Sequence, residues 1–367
     1  MKSSPHRHTS AQVDLEAIKN NVQKFKQHIG SKPELWAVVK ANAYGHGAVP
    51  VARAVKDLVA GFCVSNLDEA IELRQALLTQ PILILSGIVP ETIGIAANLN
   101  LTVTAPSLAW LKLVVQESID FSRLKIHIAV DSGMGRIGVC DAQEANEMIA
   151  LADQYGIEFE GIFTHFATAD EADDQKFKAQ QEKFAQIIEE ISRRPRYVHS
   201  TNTAAALWHT EQVQDIERLG VSMYGLNPSG KVLNLPFEIE AALSLVSELT
   251  HVKKVTKGAT LGYGATYEAE QETWIGTVSI GYADGWTREM QGFHVLVDGK
   301  FCEIVGRVSM DQMMIKLDQE YPLGTTVTLI GENQGKLITA TDVAEWRKTI
   351  NYEVLCLISD RVERVYL

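Results

Sequence analysis

A parallel (β/α)8 barrel of the TIM type followed by a second, mostly β domain is the α/β fold that this sequence predicts, and three observations predict it. Eight short aliphatic runs between Val13 and Leu226 each lead into an amphipathic, helix-like stretch. No dinucleotide-type glycine fingerprint follows the first run, which argues against an open doubly wound sheet. After Pro228 the texture changes to alternating strands punctuated by turn signals.

The elements follow in order. Residues 1–10, MKSSPHRHTS, are polar and lack the apolar centre of a signal peptide, so a flexible leader is expected. His6 and His8 could chelate a metal, but a solvated tail is the simpler account, and no metal site is expected. The barrel segment is 11–238. Its strands are LWAVVKA, GFCVSN, PILILSG, LTVTA, KIHIAVDSG, FEGIFTHF, YVHSTN and IERLGVSMYG. Helical patterns such as LDEAIELRQALL, SLAWLKLVVQES, DAQEANEMIALADQYG and KFKAQQEKFAQIIEEIS lie between them. A linker is expected near 227–240, where Pro and Gly gather. Residues 239–367 are expected to be mostly β. Asp298-Gly299 marks a hairpin, one helix lies near TATDVAEWRKT, and RVERVYL closes as a strand.

Composition narrows the function. The chain has 367 residues, 46% hydrophobic and 22% charged, enough to bury a large core. A formal net charge of -12 argues against a general nucleic-acid binder. The four cysteines are isolated, and with no signal peptide they fit a reducing, cytoplasmic setting. No apolar run approaches the length of a membrane span.

Chemistry is expected at the carboxyl ends of the barrel strands. Lys40, Asp131 to Arg136, His165, Asn202 with Thr203, and Arg218 all fall there. Lys40 ends a run that reads as a buried strand. An ammonium buried there without a partner is costly, and it escapes by a lowered pKa, by covalent use of the amine, or by reaching out to water. RLGVSMYGLNPS places glycines at the last βα turn, where the amides of Gly220 and Val221 and the Thr203 hydroxyl could hold phosphate. A phosphate anchor beside a buried amine suits pyridoxal 5'-phosphate.

AVVKANAYGHG, VDSGMGRIG, THFATADE, RLGVSMYG, YGATY, SIGYADGW and VGRVSMDQ, in this order, resemble the signatures of bacterial alanine racemases. The resemblance runs from residue 11 to ISDRVERVY near the C-terminus. It implies a pyridoxal phosphate-dependent isomerase that interconverts L-alanine and D-alanine for cell-wall precursors. It also implies a homodimer whose active sites are shared across the interface.

By the same resemblance Lys40 is the imine-forming lysine and one of two acid/base groups, and Tyr263 is the other. Tyr44, Tyr352, Thr203, Gly220 and Val221 are phosphate-side ligands. Arg136 stands near the cofactor's phenolic oxygen and the substrate carboxylate, to which Met310 offers its backbone N–H. Arg218 faces the pyridine nitrogen, and His165 links Arg218 to Tyr263. Tyr263 and Met310 come from the partner chain. Tyr282, Ala283 and Asp284 resemble an entrance lining, with Asp170, Arg288, Arg307 and Ile350 further out.

Racemisation takes a proton from one face of Cα and returns one to the other, so two bases on opposite sides suit it. Arg218 is the telling assignment. Arginine holds its proton at working pH and disfavours a second positive charge beside it, which weakens the electron sink and limits transamination. Many family members carry a carbamylated lysine where this sequence has Ala129. A small anion, an ordered water or a nearby carboxylate is therefore expected to brace Arg136, and an exposed, unpaired Arg136 would count against any such brace. Two rival readings are a broader amino-acid racemase on the same scaffold and a non-enzymatic pyridoxal phosphate carrier.

Overall fold

The first strand, β1 (Ser10–Val13), falls in the unit that holds residues 241–367, although the sequence placed residue 10 in a leader and residues 11–13 in the barrel segment. In the computed structural model, which describes residues 3–367, the chain divides into two units. One holds residues 18–43 and 48–240; the other holds the beginning of the chain, residues 44–47 and residues 241–367. Met1 and Lys2 of the expected leader lie outside the described residues.

The first unit is the barrel. Its strands are β2 (Glu34–Val38), β3 (Gly61–Val64), β4 (Ile82–Ile84), β5 (Thr102–Ala105), β6 (Lys125–Ala129), β7 (Glu158–Phe163), β8 (Tyr197–His199) and β9 (Ile216–Leu219). They pair in parallel in sequence order from β2 to β8, and β9 returns to pair with β2. Among the described residues β8 and β9 form no ladder, but the bridge Asn202–Arg218 and the Asp215 N–H, which donates to the Val198 carbonyl at 3.1 Å, join their sides, so the ring is nearly closed. These are the eight strands read from the sequence. They are buried on both faces, as the continuous aliphatic runs require.

Four of the helices that follow the strands start on a side-chain cap. Asn66, Ser107, Asp141 and Asn202 each accept the N–H three residues on, satisfying a donor the helix cannot. Caps at the βα turns fix where each strand stops, and hence where the residues beyond its end stand.

The second unit is mostly β. β1 pairs antiparallel with β10 (Leu243–Val255) and parallel with the closing strand Glu363–Tyr366, in a nine-stranded sheet. The leader expectation is therefore corrected. Ser4 donates to the Arg361 carbonyl at 3.0 Å, Thr9 is buried, and Arg7 pairs with the buried Asp284. A polar decapeptide looks like a tail when its partners stand at the other end of the chain. Asp298 and Gly299 do form the two-residue hairpin, both with positive φ, as a type I′ turn needs. The expected helix is Ala340–Arg347, closed by a capping box between Thr339 and Asp342. A short helix at Asn351–Cys356, carrying Tyr352, was not expected.

All four cysteines, Cys63, Cys140, Cys302 and Cys356, are free thiols. No helix among the described residues is long and apolar enough to cross a membrane.

Candidate active site

Beyond β2 the chain makes a left-handed turn. Ala41, Asn42, Ala43 and Tyr44 all have φ of 51–53°. For residues with a Cβ this costs about 1–2 kcal/mol each, so the surroundings must hold it. Glu69 does part of this, accepting the Ala41 N–H at 2.8 Å and the Ser65 N–H at 2.6 Å. The Asn42 side chain closes the turn by accepting the Ala48 N–H at 2.8 Å. Lys40 is thus presented at the mouth of the barrel by a strained, tied segment.

Its side chain enters a cavity of about 260 Å3 whose lining includes Ala129, Arg136, Phe163, His165 and Arg218. No carboxylate lines this cavity. Burial pushes the Lys40 pKa down, and the Arg136 guanidinium pushes it further. The amine is therefore more available as a nucleophile or base than an ordinary lysine. His165 is held well below its usual pKa by burial, then by Arg218 and Arg136, and stays neutral. Two guanidinium groups without an anion, beside an amine of lowered pKa, fit a small ligand that carries both an anionic group and a carbonyl.

Arg218 is the fixed point of the site. The residue is 3% exposed, and its guanidinium donates to the carbonyls of Thr164 at 3.0 Å and Ser200 at 3.1 Å, and to His199 Nδ1 at 2.5 Å. A longer contact of 3.5 Å reaches His165 Nδ1, which supports the predicted link between these two residues. The Phe163 ring lies 5.5 Å from the guanidinium carbon and stacks on His199. His199 and Phe163 were missed as site residues. The signal was a histidine inside a short, otherwise apolar parallel strand.

Thr203 and Gly220 also meet in the barrel unit. The Gly220 N–H donates to Thr203 Oγ1 at 2.7 Å, so this amide is already satisfied while the hydroxyl proton remains to be given. Val221 opens a short 3-10 turn, Val221–Tyr224. In the β unit the rings of Tyr44 and Tyr352 lie 6.1 Å apart. Tyr263 and Met310 are 70% and 52% exposed there, and Tyr263 lines a separate cavity of about 450 Å3 with Arg307.

The entrance expectations divide. Tyr282, Arg288, Arg307 and Ile350 are exposed. Ala283 is half-buried, as is Asp170, whose carboxyl burial pushes upward. Asp284 is different: it is buried, receives Arg7 at 2.5 Å and the Gly281 N–H at 3.0 Å, and stands 3.4 Å from Arg361. It ties the start of the chain to the β unit instead of lining an entrance.

No carboxylate among the described residues braces Arg136. Ala129 is buried, Arg136 is exposed, and Arg136 makes no hydrogen bond or ion pair among the described residues. The nearby Asp131 spends a carboxylate oxygen on the N–H groups of Gly133 and Gly135, both at 2.9 Å. The site keeps its arginine without a protein partner for it.

Comparison with known proteins agrees with this geometry. Residues 13–228 match the model "Alanine racemase, N-terminal domain", and residues 242–366 match "Alanine racemase, C-terminal domain". An alanine racemase of Lactococcus lactis subsp. cremoris is 72% identical over 366 residues, covering 100% of both chains. The crystal structure of alanine racemase from E. faecalis superposes with a TM-score of 0.98 at 47% identity, covering 100% of each chain. A histidine racemase from Leuconostoc mesenteroides subsp. sake gives a TM-score of 0.94 at 31% identity, again covering 100% of each. With both parts of the chain matched and its relatives covered from end to end, this chain belongs to the alanine racemase family.

Proposed function

We propose that the chain interconverts L-alanine and D-alanine with pyridoxal 5'-phosphate, using Lys40 and Tyr263 as the two acid/base groups. The observation that carries this reading is the convergence of Lys40, Arg136, His165 and Arg218 on one cavity that no carboxylate lines. When bound, the cofactor supplies a carbonyl for amines and an electron sink that acidifies the Cα–H bond.

Lys40 Nζ, its pKa lowered by burial, takes or returns the Cα proton on one face. The Tyr263 hydroxyl serves the other face, supplied by a second copy of the chain in a homodimer. The exposure of Tyr263 and Met310 in the single chain supports this sharing. Neutral His165 couples Arg218 to Tyr263. Arg136 and the Met310 N–H bind the substrate carboxylate. Thr203, Gly220, Val221, Tyr44 and Tyr352 hold the phosphate, with the Thr203 hydroxyl as a donor and the Gly220 N–H orienting that hydroxyl. The barrel segment carries the cofactor and the β segment the second base. Four free thiols fit a cytoplasmic setting.

Purified protein given pyridoxal phosphate should abolish the optical rotation of an L-alanine solution; persistence of that rotation overturns the reading. The likeness to a histidine racemase favours testing a broader racemase as the second reading. Parallel rates with alanine, serine, lysine and histidine decide between them, since differences in side-chain size discriminate only modestly in such pockets.

Tyr263→Phe removes one proton carrier and leaves the other. Exchange of the Cα hydrogen with solvent should then differ between the two enantiomers by at least about 100-fold, the scale of one lost acid/base group. Equal losses would assign Tyr263 to binding. Mixing Lys40→Ala with Tyr263→Phe chains should restore activity through one intact site per heterodimer. No recovery after confirmed subunit exchange would place Tyr263 in its own chain's site.

A further inference from the structure

The buried Arg218 guanidinium has no carboxylate beside it in the cavity, and its neighbour along β9 does not balance it. Burial pushes the Glu217 carboxyl up to about 8, so it is uncharged at neutral pH. The balancing charge lies across the barrel interior. Arg218 Nη1 meets His199 Nδ1 at 2.5 Å, His199 Nε2 meets His127 Nδ1 at 2.9 Å, and His127 Nε2 meets Glu160 Oε2 at 3.3 Å. Thr102 Oγ1 donates to the same Glu160 oxygen at 2.8 Å, and Lys125 Nζ stands 3.3 Å from the other. Arg218, His199, His127, Glu160 and Thr102 are all buried.

We propose that His199, His127 and Glu160 are positioning residues for Arg218, forming a hydrogen-bond relay that runs one way and locks the guanidinium in place. The direction follows from donor arithmetic. A guanidinium only donates, so His199 Nδ1 must accept, and the His199 proton sits on Nε2. That proton occupies His127 Nδ1, so the His127 proton also sits on Nε2 and goes to Glu160. An ionised carboxylate only accepts, and the chain ends there. Neither histidine can take a second proton without setting donor against donor. Every proton in the relay therefore has one position.

The surroundings support this assignment. Burial pushes both histidines below the usual imidazole range, with Arg218 adding to the effect on His199. Burial alone would raise Glu160, but the hydrogen bonds from His127 and Thr102 and the nearby Lys125 ammonium bring it below the usual carboxylate range. Gly161 on β7 makes room for the relay: a Cβ there would come 2.6 Å from His127 ring atoms. The strand pairing between β6 and β7 shifts register at His127, where that ring turns inward. A buried polar network with every member satisfied specifies one arrangement, which suits a residue whose task is to hold a fixed proton toward a ligand.

The proposal rests on Arg218 facing the cofactor ring, and its test separates the two ideas. Protein labelled with 15N-histidine, measured after removal of the cofactor, should show His127 and His199 as neutral Nε2–H tautomers through the neutral pH range. His127→Gln and His199→Gln assign the signals by their loss. An Nδ1–H tautomer or an imidazolium at either position overturns the relay, whatever the enzyme does with alanine.

Glu160→Gln keeps the size but removes the terminal charge, and Gly161→Ala displaces His127 without removing a polar atom. Both should mix the tautomers, move the absorption band of the reconstituted cofactor, and lower kcat at least about tenfold with a smaller change in KM. Unchanged tautomers together with an unchanged band and kcat in a folded Glu160→Gln protein would also overturn it. If that variant does not fold, the tautomers of the parent protein still decide.

Discussion

Lys40→Ala should lower alanine racemisation at least about 1000-fold, since it removes both the amine that holds the cofactor and one of the two proton carriers. In the parent protein, borohydride reduction should leave a pyridoxyl group on the peptide containing residue 40. In the variant that label should be absent. A label on another lysine, or activity within tenfold of the parent, would sink the assignment.

The variant should not lose stability, which separates lost chemistry from a lost fold. Burial and the Arg136 charge both press against a charged Lys40. The amine is protonated in the unfolded chain at neutral pH, and folding must disfavour that proton, so Lys40 opposes folding there. Alanine removes that cost and fits the left-handed turn no worse, because the positive φ values begin only at Ala41. With both proteins free of cofactor, its Tm should equal or exceed the parent's. A clear fall would mean that Lys40 has a structural partner.

How far the sequence could carry this depends on where each signal was written. The eight barrel strands were legible because a parallel strand covered on both faces tends to be an unbroken apolar run, as in residues 82–84 and 61–64. Lys40 stood out for the same reason, as a charge where such a run ends. β1 was not legible. SAQV is short and half polar, and its partners lie in residues 243–246 and 363–366, beyond the reach of any local pattern. The left-handed turn after Lys40 gave no sign either, because alanine, asparagine and tyrosine do not announce positive φ as glycine does.

The relay behind Arg218 was hidden in plain strands. His127, Glu160 and His199 sit in KIHIA, EFEGIF and YVH, and each looks like one polar interruption in an apolar run. Only closing the barrel brings three such interruptions to one axis. Tyr263 and Met310 were legible by resemblance to a family, whereas the single chain displays them only as exposed side chains.

Arg218→Glu should slow alanine racemisation by about 100-fold or more and raise the pyruvate formed per turnover at least about tenfold. The arginine holds its proton and keeps a second positive charge from the group it faces. A carboxylate there would favour protonation of that group and strengthen the electron sink, diverting turnover toward transamination. The substitution also reverses the hydrogen bonding behind it. A carboxylate at 218 can only accept from His199, so the His199 proton must move to Nδ1, and the carbonyls of Thr164 and Ser200 lose their donor. Each buried hydrogen bond to a charged group contributes about 1.5–3 kcal/mol, so a stability loss on the order of 3 kcal/mol is expected beside the change in product. Arg218→Lys controls for this loss. It keeps a cation but sacrifices the planar fork, so it should lose rate and stability while pyruvate stays as scarce as in the parent. If the glutamate and lysine variants give the same product ratio as the parent, Arg218 does not face the cofactor ring.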